Sequence, residues 1–600
     1  MNSADSHVPS KRFLPRVGTP AYHILLGAVA IFILGPLGGI SAAFMNFSLG
    51  FFVGGQVLAG ILGSAVTYGY GAEGKHGANY MQSMAASVAG LSGMAVMLQA
   101  MVWLGLPEPP AWQVVLYLTC IGMFGIGVGM LYTPILVDRM QLVYPSGFAV
   151  ANILRALTDK NLLKRSIAKL GGGGAVGFMG GVAALIIPAV EKIGVSPSSI
   201  GAGMVVGARI GVPGAVVGLI GFFLTPYLKR IGWLGEQDHY RKIGFIIALG
   251  TILGAAIIDI SLIGYEAVKR FTAAQPAPAQ SAEDWKRVNT LRLGLWIIGW
   301  GAAVVLVMSQ VLHQPLFFIL VAIGLMFIFV LVNGISDGIS DWNPLSSAFV
   351  VTVLILASIG LRDPIAGLMC AGIVLIACNV AVDMQQDRST GWRLGTNRVN
   401  QFRYQVIGVL MGAVLAVVLA KVFMSAYPVL RIDTYSNPNV KGAEHWQSAM
   451  TYKFVGALKG ITNPKPHIMK ALQLGLAIGF VTEIVRKLLK RSAAYKTFIR
   501  TKSGGVIDFI LDAVIIPSPY ASSFGGFVEF PTTLWFAGGG ILGSSLDFAA
   551  RRPNRLAPVA GQPEVPADMS TTSLIGGGLI AGDSLAALTV GIYRLLQTVL

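Results

Sequence analysis

Long apolar stretches follow one another along almost the whole chain, and this succession limits the fold more than any single motif does. Most of these stretches approach or exceed the roughly 20 residues that an α-helix needs to cross a bilayer. Charged residues make up only 12% of the chain, about half of the share that is usual in soluble domains. The sequence therefore predicts an all-α polytopic membrane protein with about 12 to 16 transmembrane helices, some of them broken or re-entrant.

The charge pattern indicates orientation rather than a nucleic-acid partner. The formal net charge is +17, and the basic residues are concentrated in the segments between apolar runs. Cytoplasmic loops of membrane proteins carry such an excess of Lys and Arg, which predicts a cytoplasmic N-terminus. The cysteines lie inside apolar runs, as small core residues do, and no recognised metal-ligand spacing occurs. No metal site, cofactor or nucleic-acid contact is expected.

The best candidate for a binding site is residues 517–531, PSPYASSFGGFVEFP. Its prolines remove backbone donors and break a helix, which frees carbonyl and amide groups in a low-dielectric setting. A peptide-like ligand can supply partners for those groups, although a kink packed inside the protein would satisfy them equally. The side chains predicted to contact substrate here are Ser518, Tyr520, Ser522, Ser523 and Glu529.

A matching candidate lies in the first half of the chain. Arg209 sits in an otherwise apolar run that Pro213 interrupts, and a charge at such a position is costly and usually functional. It is predicted either to hold a substrate carboxylate or to pair with Glu529. Gln56 and Asn343 are weaker candidates for the lining of the site, since isolated amides in membrane helices often make only interhelical hydrogen bonds.

The two halves of the chain repeat each other. Pro197-Ser198 followed by Pro213 corresponds to Pro517-Ser518 followed by Pro531, and fainter matches occur in the same order elsewhere. Repeated halves with broken helices are the architecture of many secondary transporters. The predicted segments are a cytoplasmic tail (1–20), a first repeat (21–270), a linker (271–292) and a second repeat (293–600) that contains a long polar loop (427–466).

The most informative stretch is residues 379–405. Asn379, Asp383 and Asp387 are spaced so that they share one face of a helix. Arginines follow in what the glycines indicate is a loop, so the stretch is either a solvated helix end with positive-inside anchoring or a functional site. A carboxylate can carry a proton when burial favours its neutral form. The predicted proton-coupling residues are Asp383, Asp387, Glu483 and Glu529.

Residues 383–395, DMQQDRSTGWRLG, resemble the D-L-M-Q-D-x-K-T-G-Y-x-L-G signature of the oligopeptide transporter (OPT) family. Ser389 stands at the position of the family's Lys, and Trp392 at that of its Tyr. The Asn-Pro-Gly-Pro-Phe-Asn motif of the eukaryotic peptide-transporting branch is absent, so the chain is more similar to the yellow stripe-like and prokaryotic branch. The resemblance implies duplicated halves and substrates that are metal chelates or peptide-like compounds.

These features together predict a secondary active transporter and not an enzyme. Its substrates would be small peptides or peptide-like metal chelates of the siderophore type, taken up with protons across a bacterial cytoplasmic membrane, with a homo-oligomer as one arrangement. No G-x-x-x-x-G-K-[ST] phosphate-binding loop occurs. Two alternatives stay open. One is a prenyltransferase-like enzyme that would hold magnesium diphosphate at two motifs, Asn379, Asp383 and Asp387 in one and Asp337 and Asp341 in the other. The other is a passive channel.

Overall fold

The structure is a computed structural model that describes residues 14–599 except 49–55, 159, 237, 273–282, 341–342, 438–445, 447, 463–465, 500, 529 and 551–570. In this described part every regular element is helical, which confirms the predicted all-α class. The helices of the first half are α1 (Pro20–Val29), α2 (Gly35–Ser48), α3 (Gln56–Thr67), α4 (Gly74–Gly93), α5 (Ala95–Trp103), α6 (Ala111–Thr133), α7 (Pro145–Thr158), α8 (Lys160–Ile186), α9 (Pro188–Ile193), α10 (Pro197–Val206), α11 (Ala208–Arg230) and α12 (Arg241–Thr272).

The described residues of the second half form the same number of α-helices. They are α13 (Thr290–Leu306), α14 (Leu316–Ser340), α15 (Leu345–Ser358), α16 (Pro364–Leu394), α17 (Arg398–Ala426), α18 (Ala449–Thr462), α19 (Pro466–Arg491), α20 (Ala493–Phe498), α21 (Lys502–Ile510), α22 (Pro519–Phe527), α23 (Phe530–Ala550) and α24 (Thr571–Val599).

Many of these helices are suited to a membrane. In the described residues, 10 helical segments are long and apolar enough to cross a bilayer. An eleventh arises if the helical segments Ser503–Ile515 and Pro519–Gly526, which meet at a 42° bend, form one broken span. Several other apolar helices, such as α10 and α15, are too short to cross. The protein is thus a multi-pass membrane protein, and the total of 12 to 16 crossings stays a prediction.

The helices form two bundles according to which of them pack together. The first bundle contains α2 to α7 and α13 to α18, and the second contains α8, α10 to α12, α19 and α22 to α24. Each half of the chain therefore builds part of the first bundle before it builds part of the second. The bundles meet where α7 packs against α24 and where α14 packs against α22.

Packing inside the bundles repeats with the halves exchanged. In the first bundle α4 packs on α17, and α16 packs on α6. In the second bundle α8 packs on α24, and α19 packs on α12. The short helices follow the same rule, since α10 lies against α23 and α24 while α22 lies against α11 and α12. A duplicated ancestral half would produce this exchange, although the boundaries at residues 270 and 293 remain predictions.

Glycines bring the helix backbones of the second bundle into direct contact. A Cβ on Gly479 of α19 would overlap the carbonyl oxygen of Thr251 of α12, and a Cβ on Gly254 would overlap that of Leu476. Small residues four positions apart allow such close approach in membrane helices. The equivalent contact of α8 with α24 has glycines at the same four-residue spacing on each helix, Gly173 and Gly177 on α8 and Gly578 and Gly582 on α24.

The region predicted as a long polar loop, residues 427–466, contains helix α18. Its Phe454 is fully buried and packs on Phe349 of α15, with ring centroids 4.3 Å apart. The apolar side chains of α18 cover α5 and α15, so this segment is part of the first bundle. Ahead of α18, Asp433 accepts hydrogen bonds from Lys459 Nζ (2.6 Å) and from the backbone N–H of Ser436 (3.2 Å).

Asp433→Asn is expected to loosen this turn at neutral pH. Partial burial opposes the charged form of Asp433, but the bonds from Lys459 and Ser436 outweigh it and lower the pKa of the carboxyl. A lowered folded-state pKa contributes stability above the unfolded pKa, and this stability is lost as the pH falls through the folded value. Hydrogen exchange of residues 428–437 should be about twofold faster in the variant at neutral pH, as for a screened ion pair. At a pH below the folded pKa the two proteins should exchange alike, and a difference that persists there would contradict this account.

Candidate functional site

The arginine-rich stretch that follows Asp387 is helical. Helix α16 begins after Asp363, whose carboxylate accepts the backbone N–H of Ile365 (3.0 Å), and it continues to Leu394. Gly395 ends it in the left-handed conformation, with φ 73°. The loop expected from the glycines is thus wrong for residues 388–394. Because α16 packs on α4, α6, α14 and α15, a buried loop there would leave backbone groups unpaired, and a helix satisfies them internally.

Asp387 lies inside the first bundle. It is 1% exposed, and its Oδ1 accepts a hydrogen bond from Gln82 Nε2 of α4 at 2.9 Å. Its Oδ2 has no hydrogen-bond partner among the described residues. Asp383, one turn earlier, also faces α4, since a Cβ on Gly90 would lie 2.7 Å from Asp383 Oδ2. The interpretation of this stretch as a solvated helix end is therefore wrong for Asp387.

Amide side chains of α4 and α17 form a hydrogen-bonded chain around Asp387, in which Gln82 bonds to its carboxylate and Gln401 bonds to its backbone carbonyl. Asn79 Nδ2 donates to Gln82 Oε1 at 2.9 Å, which orients Gln82 toward the carboxylate. Gln401 Nε2 of α17 donates to Asn79 Oδ1 at 2.7 Å and to the carbonyl oxygen of Asp387 at 3.0 Å. These bonds tie α4, α16 and α17 together at the level of Asp387.

Arg388 is fully buried beside this cluster but does not neutralise it through direct contact. Its guanidinium donates to the carbonyl oxygen of Arg398 and to Gln401 Oε1. Its Nε and Nη2 have no partner within the described structure, and no ion pair joins it there to Asp387. The neighbouring Arg398 pairs with Asp138 at the end of α6. Arg388 is therefore adjacent in sequence to Asp387 and close to Asp383, yet it forms no ion pair with either carboxylate among the described residues.

The second predicted site lies at the start of α22. Tyr520, Ser522 and Ser523 are buried there. Ser523 Oγ donates to the carbonyl oxygen of Ala248 on α12 at 3.1 Å, and both serines donate back to Pro519. Ser518 occupies the N-cap position without a side-chain cap bond.

The equivalent helix of the first half, α10, is capped differently. Ser196 Oγ accepts the backbone N–H of Ser199 at 3.2 Å. Asp583 Oδ2 of α24 accepts the backbone N–H of Ser198 at 2.9 Å. A carboxylate thus already occupies the N-terminus of α10. The repeat is asymmetric at the two positions where broken helices begin.

Arg209 belongs to a third group of residues. It is 46% exposed, and its Nη1 lies 2.7 Å from Asp508 Oδ2 and 3.2 Å from Asp512 Oδ2. Asp512 also contacts Arg486 (3.0 Å) and Lys490 (2.9 Å) on α19. The structure thus supplies Arg209 with carboxylate partners other than the predicted Glu529. Glu529 itself and the side chain of Gln56 lie outside the described residues.

Two further predicted residues have local partners. Glu483 of α19 is buried and contacts Arg486 (3.7 Å) and Lys487 (3.3 Å) on the same helix. Asn343 Oδ1 accepts a hydrogen bond from Asn333 Nδ2 at 2.9 Å. The predicted site residues are thus distributed between the α16 cluster, the start of α22, the α14–α15 junction and the charge network around Arg209. Their roles stay predictions.

The match to known proteins extends over nearly the whole chain. Residues 24–593 match the family described as OPT oligopeptide transporter protein. The chain belongs to this family. The resemblance that residues 383–395 carry is thereby confirmed, and in this OPT protein the motif forms the largely buried C-terminal part of α16 and its cap Gly395. The family is one of transporters, in agreement with the expectation that the protein is not an enzyme.

Individual relatives of this OPT protein are plant proteins of modest identity. The probable metal-nicotianamine transporter YSL6 of Oryza sativa subsp. japonica is 25% identical over 272 residues, which cover 39% of this chain and 40% of that protein. The probable metal-nicotianamine transporter YSL13 of the same organism is 22% identical over 426 residues, 60% of this chain and 58% of that protein. The chain thus spans about two fifths to three fifths of these relatives.

Sequence reasoning from the OPT motif missed the residues that complete its surroundings. Asn79 and Gln82 of α4 and Asp138 beside α6 were not among the predicted site residues. A signal for the first two was present, because they lie three residues apart, on one face of a helix, at the start of a predicted span. Paired amides in lipid require partners on other helices. Nothing local to Asp138 indicates that it meets Arg398.

Proposed function

We propose that this OPT protein is a secondary active transporter that couples proton entry to the uptake of peptides or peptide-like metal chelates. The observation that carries the proposal is the placement of Asp383 and Asp387 inside the first bundle, where no cation of the described residues forms an ion pair with them. Ionisable residues inside membrane bundles commonly form proton relays. Membership in a family of transporters supports the same conclusion.

The proton would bind to the Asp383 and Asp387 pair. A buried carboxylate with one free oxygen is stabilised when it takes up a proton, since the neutral form needs less solvation. Loss of the proton would then favour a rearrangement that gives the carboxylate new partners. Glu483 and Glu529 are proposed as secondary proton carriers. Glu483 is a weaker candidate than Asp383 and Asp387, because Arg486 and Lys487 already neutralise its charge.

The substrate would bind at the start of α22. Helix N-termini within transporter bundles favour anionic groups of a substrate. The N-cap residue of α22, Ser518, makes no side-chain cap bond, whereas Asp583 occupies the N-terminus of α10. The hydroxyls of Ser518 and Tyr520 would donate hydrogen bonds to a substrate carboxylate or peptide carbonyl, and they would accept from a peptide N–H. Ser522, Ser523, Glu529, Arg209, Asn343 and Gln56 are the further residues proposed to line or support this site.

Uptake by proteoliposomes should collapse when the proton gradient is removed. The purified protein would be reconstituted with an alkaline lumen and supplied with labelled dipeptides, tripeptides and an iron chelate of the amino-acid type. Uptake of the accepted substrate should fall to the level of protein-free liposomes after a protonophore is added, because the energy for accumulation comes from the gradient. Uptake that ignores the protonophore would favour the passive channel. Failure of every peptide and chelate would contradict the proposed substrate class.

The membrane and its sidedness are also proposals. We place the protein in a bacterial cytoplasmic membrane, with the N-terminus and the basic ends of α19 and α20 inside. The exposed residues Arg491 and Lys496 and the neighbouring Lys490 support this orientation under the positive-inside rule. Proteolysis of right-side-out vesicles should leave this basic segment intact, and cleavage there would reverse the assignment.

A further inference from the structure

A shallow groove follows the outer face of α13, and its volume is about 540 Å³. It is lined by Arg292, Leu295, Trp296, Gly299, Trp300 and Ala303. These residues recur every three or four positions, so they share one face of the helix over about 16 Å of its axis. Helix α13 packs against α6, while Leu295 and the neighbouring Ile298 are 62% and 70% exposed. The described residues thus leave this face uncovered, and in a membrane it is open to lipid.

The groove exists because Gly299 has no side chain. A Cβ on Gly299 would meet nothing within 4 Å, so no neighbouring helix of the described structure requires a glycine here. This position differs from Gly391 and Gly479, where an added Cβ would overlap another helix. Glycine also weakens a helix relative to alanine. Neither the packing nor the stability of α13 therefore accounts for this glycine.

Two tryptophans form one wall of the groove. Trp296 Nε1 donates to the carbonyl oxygen of Met123 on α6 at 2.7 Å, and its ring packs edge-on against Phe402 of α17, with centroids 5.1 Å apart. The ring of Trp300 lies beside that of Trp296, with centroids 5.8 Å apart. The indole N–H of Trp300 donates to no described residue, and an N–H without an acceptor is costly in hydrocarbon. The wall is thus held in place by the protein and carries one free donor.

Arg292 places an unpaired positive charge at one end of the groove. It is exposed and lies in the first turn of α13, where the polar segment ahead of the helix gives way to apolar residues. Its guanidinium forms no ion pair with any described residue. Its basic neighbours differ, since Lys286 pairs with Glu283 at 3.2 Å. In the same way Arg287 pairs with Asp284 at 3.3 Å. A free guanidinium at a membrane surface favours a phosphate group, whose oxygens match its planar donors.

We propose that this groove binds one anionic phospholipid. The phosphate would bind to Arg292, and one acyl chain would lie over Gly299 against the tryptophan rings. An ester oxygen of the glycerol would accept the free N–H of Trp300. A zwitterionic lipid would instead bring a second cation beside Arg292. A second copy of the chain also fits poorly, because a two-fold interface on this face would bring two unpaired arginines together. The proposal does not depend on the transport function.

The test is native mass spectrometry of the purified full-length protein after removal of its lipids in detergent. Dioleoylphosphatidylglycerol and dioleoylphosphatidylcholine share their acyl chains and differ in net charge, and each is titrated separately. The first phosphatidylglycerol should bind at about fivefold lower concentration than the first phosphatidylcholine, as expected for one basic residue beside an anionic lipid.

Two variants test the head group and the acyl chain separately. Arg292→Gln should abolish the preference for phosphatidylglycerol and leave binding of phosphatidylcholine unchanged. Gly299→Leu should fill the groove and weaken binding of both lipids by at least about fivefold, because several methylene groups of the chain lose their contact. The fold should tolerate this leucine, since a Cβ at this position meets nothing, and an unchanged Tm would verify that.

Arg362→Gln is the matched control. Arg362 is also exposed and also precedes a membrane helix, α16, but it is not part of the groove, and its guanidinium donates to the carbonyl oxygen of Ala357 at 3.3 Å. The preference for phosphatidylglycerol should persist in this variant.

Four results would overturn the proposal. The unaltered protein could bind the two lipids equally, or Arg292→Gln could retain the preference. Loss of the preference in Arg362→Gln would assign it to the net charge of the protein. A stable dimer that Gly299→Leu dissociates would assign this face to a second copy of the chain. None of these results bears on the transport function, which the uptake experiment tests by itself.

Discussion

Replacing Asp387 by asparagine is expected to abolish proton-driven uptake while substrate exchange continues. The amide of asparagine can still accept the bond from Gln82, so the packing of α4 against α16 should be kept. It cannot take up and release a proton, and proton relays in membrane proteins depend on ionisable groups. Net uptake by proteoliposomes should therefore fall by at least about tenfold. Exchange of labelled for unlabelled substrate across the same membranes, which needs no net proton movement, should persist.

Two further variants separate coupling from structure. Asp387→Glu keeps the carboxyl and should recover a measurable part of the gradient-driven uptake. Asp363→Asn changes a carboxylate at the opposite end of α16, where Asn caps a helix as well as Asp does, and uptake should stay near that of the unaltered protein. Full uptake by Asp387→Asn would show that Asp387 is not part of the coupling mechanism.

Gly479→Ala is expected to destabilise the second bundle strongly. The added Cβ would overlap the carbonyl oxygen of Thr251, so α12 and α19 would have to separate along their contact. Overpacking of a tight interface typically costs about 1–3 kcal/mol. A fall in Tm of several degrees and loss of monodisperse protein in detergent should follow. Gly582 of α24, in the equivalent contact with α8, should respond to alanine in the same way, since its Cβ would meet the backbone of Gly174.

A matched control lies on the outer face of α13. A Cβ on Gly299 would meet nothing within 4 Å, and alanine favours a helix more than glycine does. Gly299→Ala should therefore leave the Tm unchanged or raise it slightly. If Gly479→Ala and Gly582→Ala were as stable as this control, the close backbone contacts of the second bundle would be wrong.

Local sequence signals located the broken helix of residues 517–531 and the carboxylate stripe. In the first half the predicted interruption at Pro213 is wrong, because Pro213 lies inside α11 and the helix breaks at Gly207 instead. The prolines of residues 517–531 end one helical segment and begin α22 at Pro519, because proline acts on its own turn of backbone. The spacing of Asn379, Asp383 and Asp387 placed them on one face, and they do share the face toward α4. Both inferences succeeded because the physical cause lies within a few residues of the effect.

The helix through Arg388 and Gly391 shows where local reasoning failed. Glycines after the aspartates indicated a loop, yet Gly391 lies within α16 where a Cβ would come 2.6 Å from Gln401 Oε1. This glycine allows a neighbouring helix to approach, and it does not turn the chain. A glycine is required both where helices approach closely and where the chain turns, so the sequence alone does not distinguish the two cases. Here the packing of α17 against Gly391 shows that close approach is the reason.

The sequence alone determined that the chain is a helical membrane protein of the OPT family, because apolar length and a contiguous motif are local properties. The tertiary structure decided what surrounds Asp387. Its hydrogen-bond partner Gln82 is 305 residues away in the chain, and the order of α4, α16 and α17 in the bundle brings the two together. Contacts at such separation depend on how whole helices pack, and no pattern within either helix specifies its neighbour.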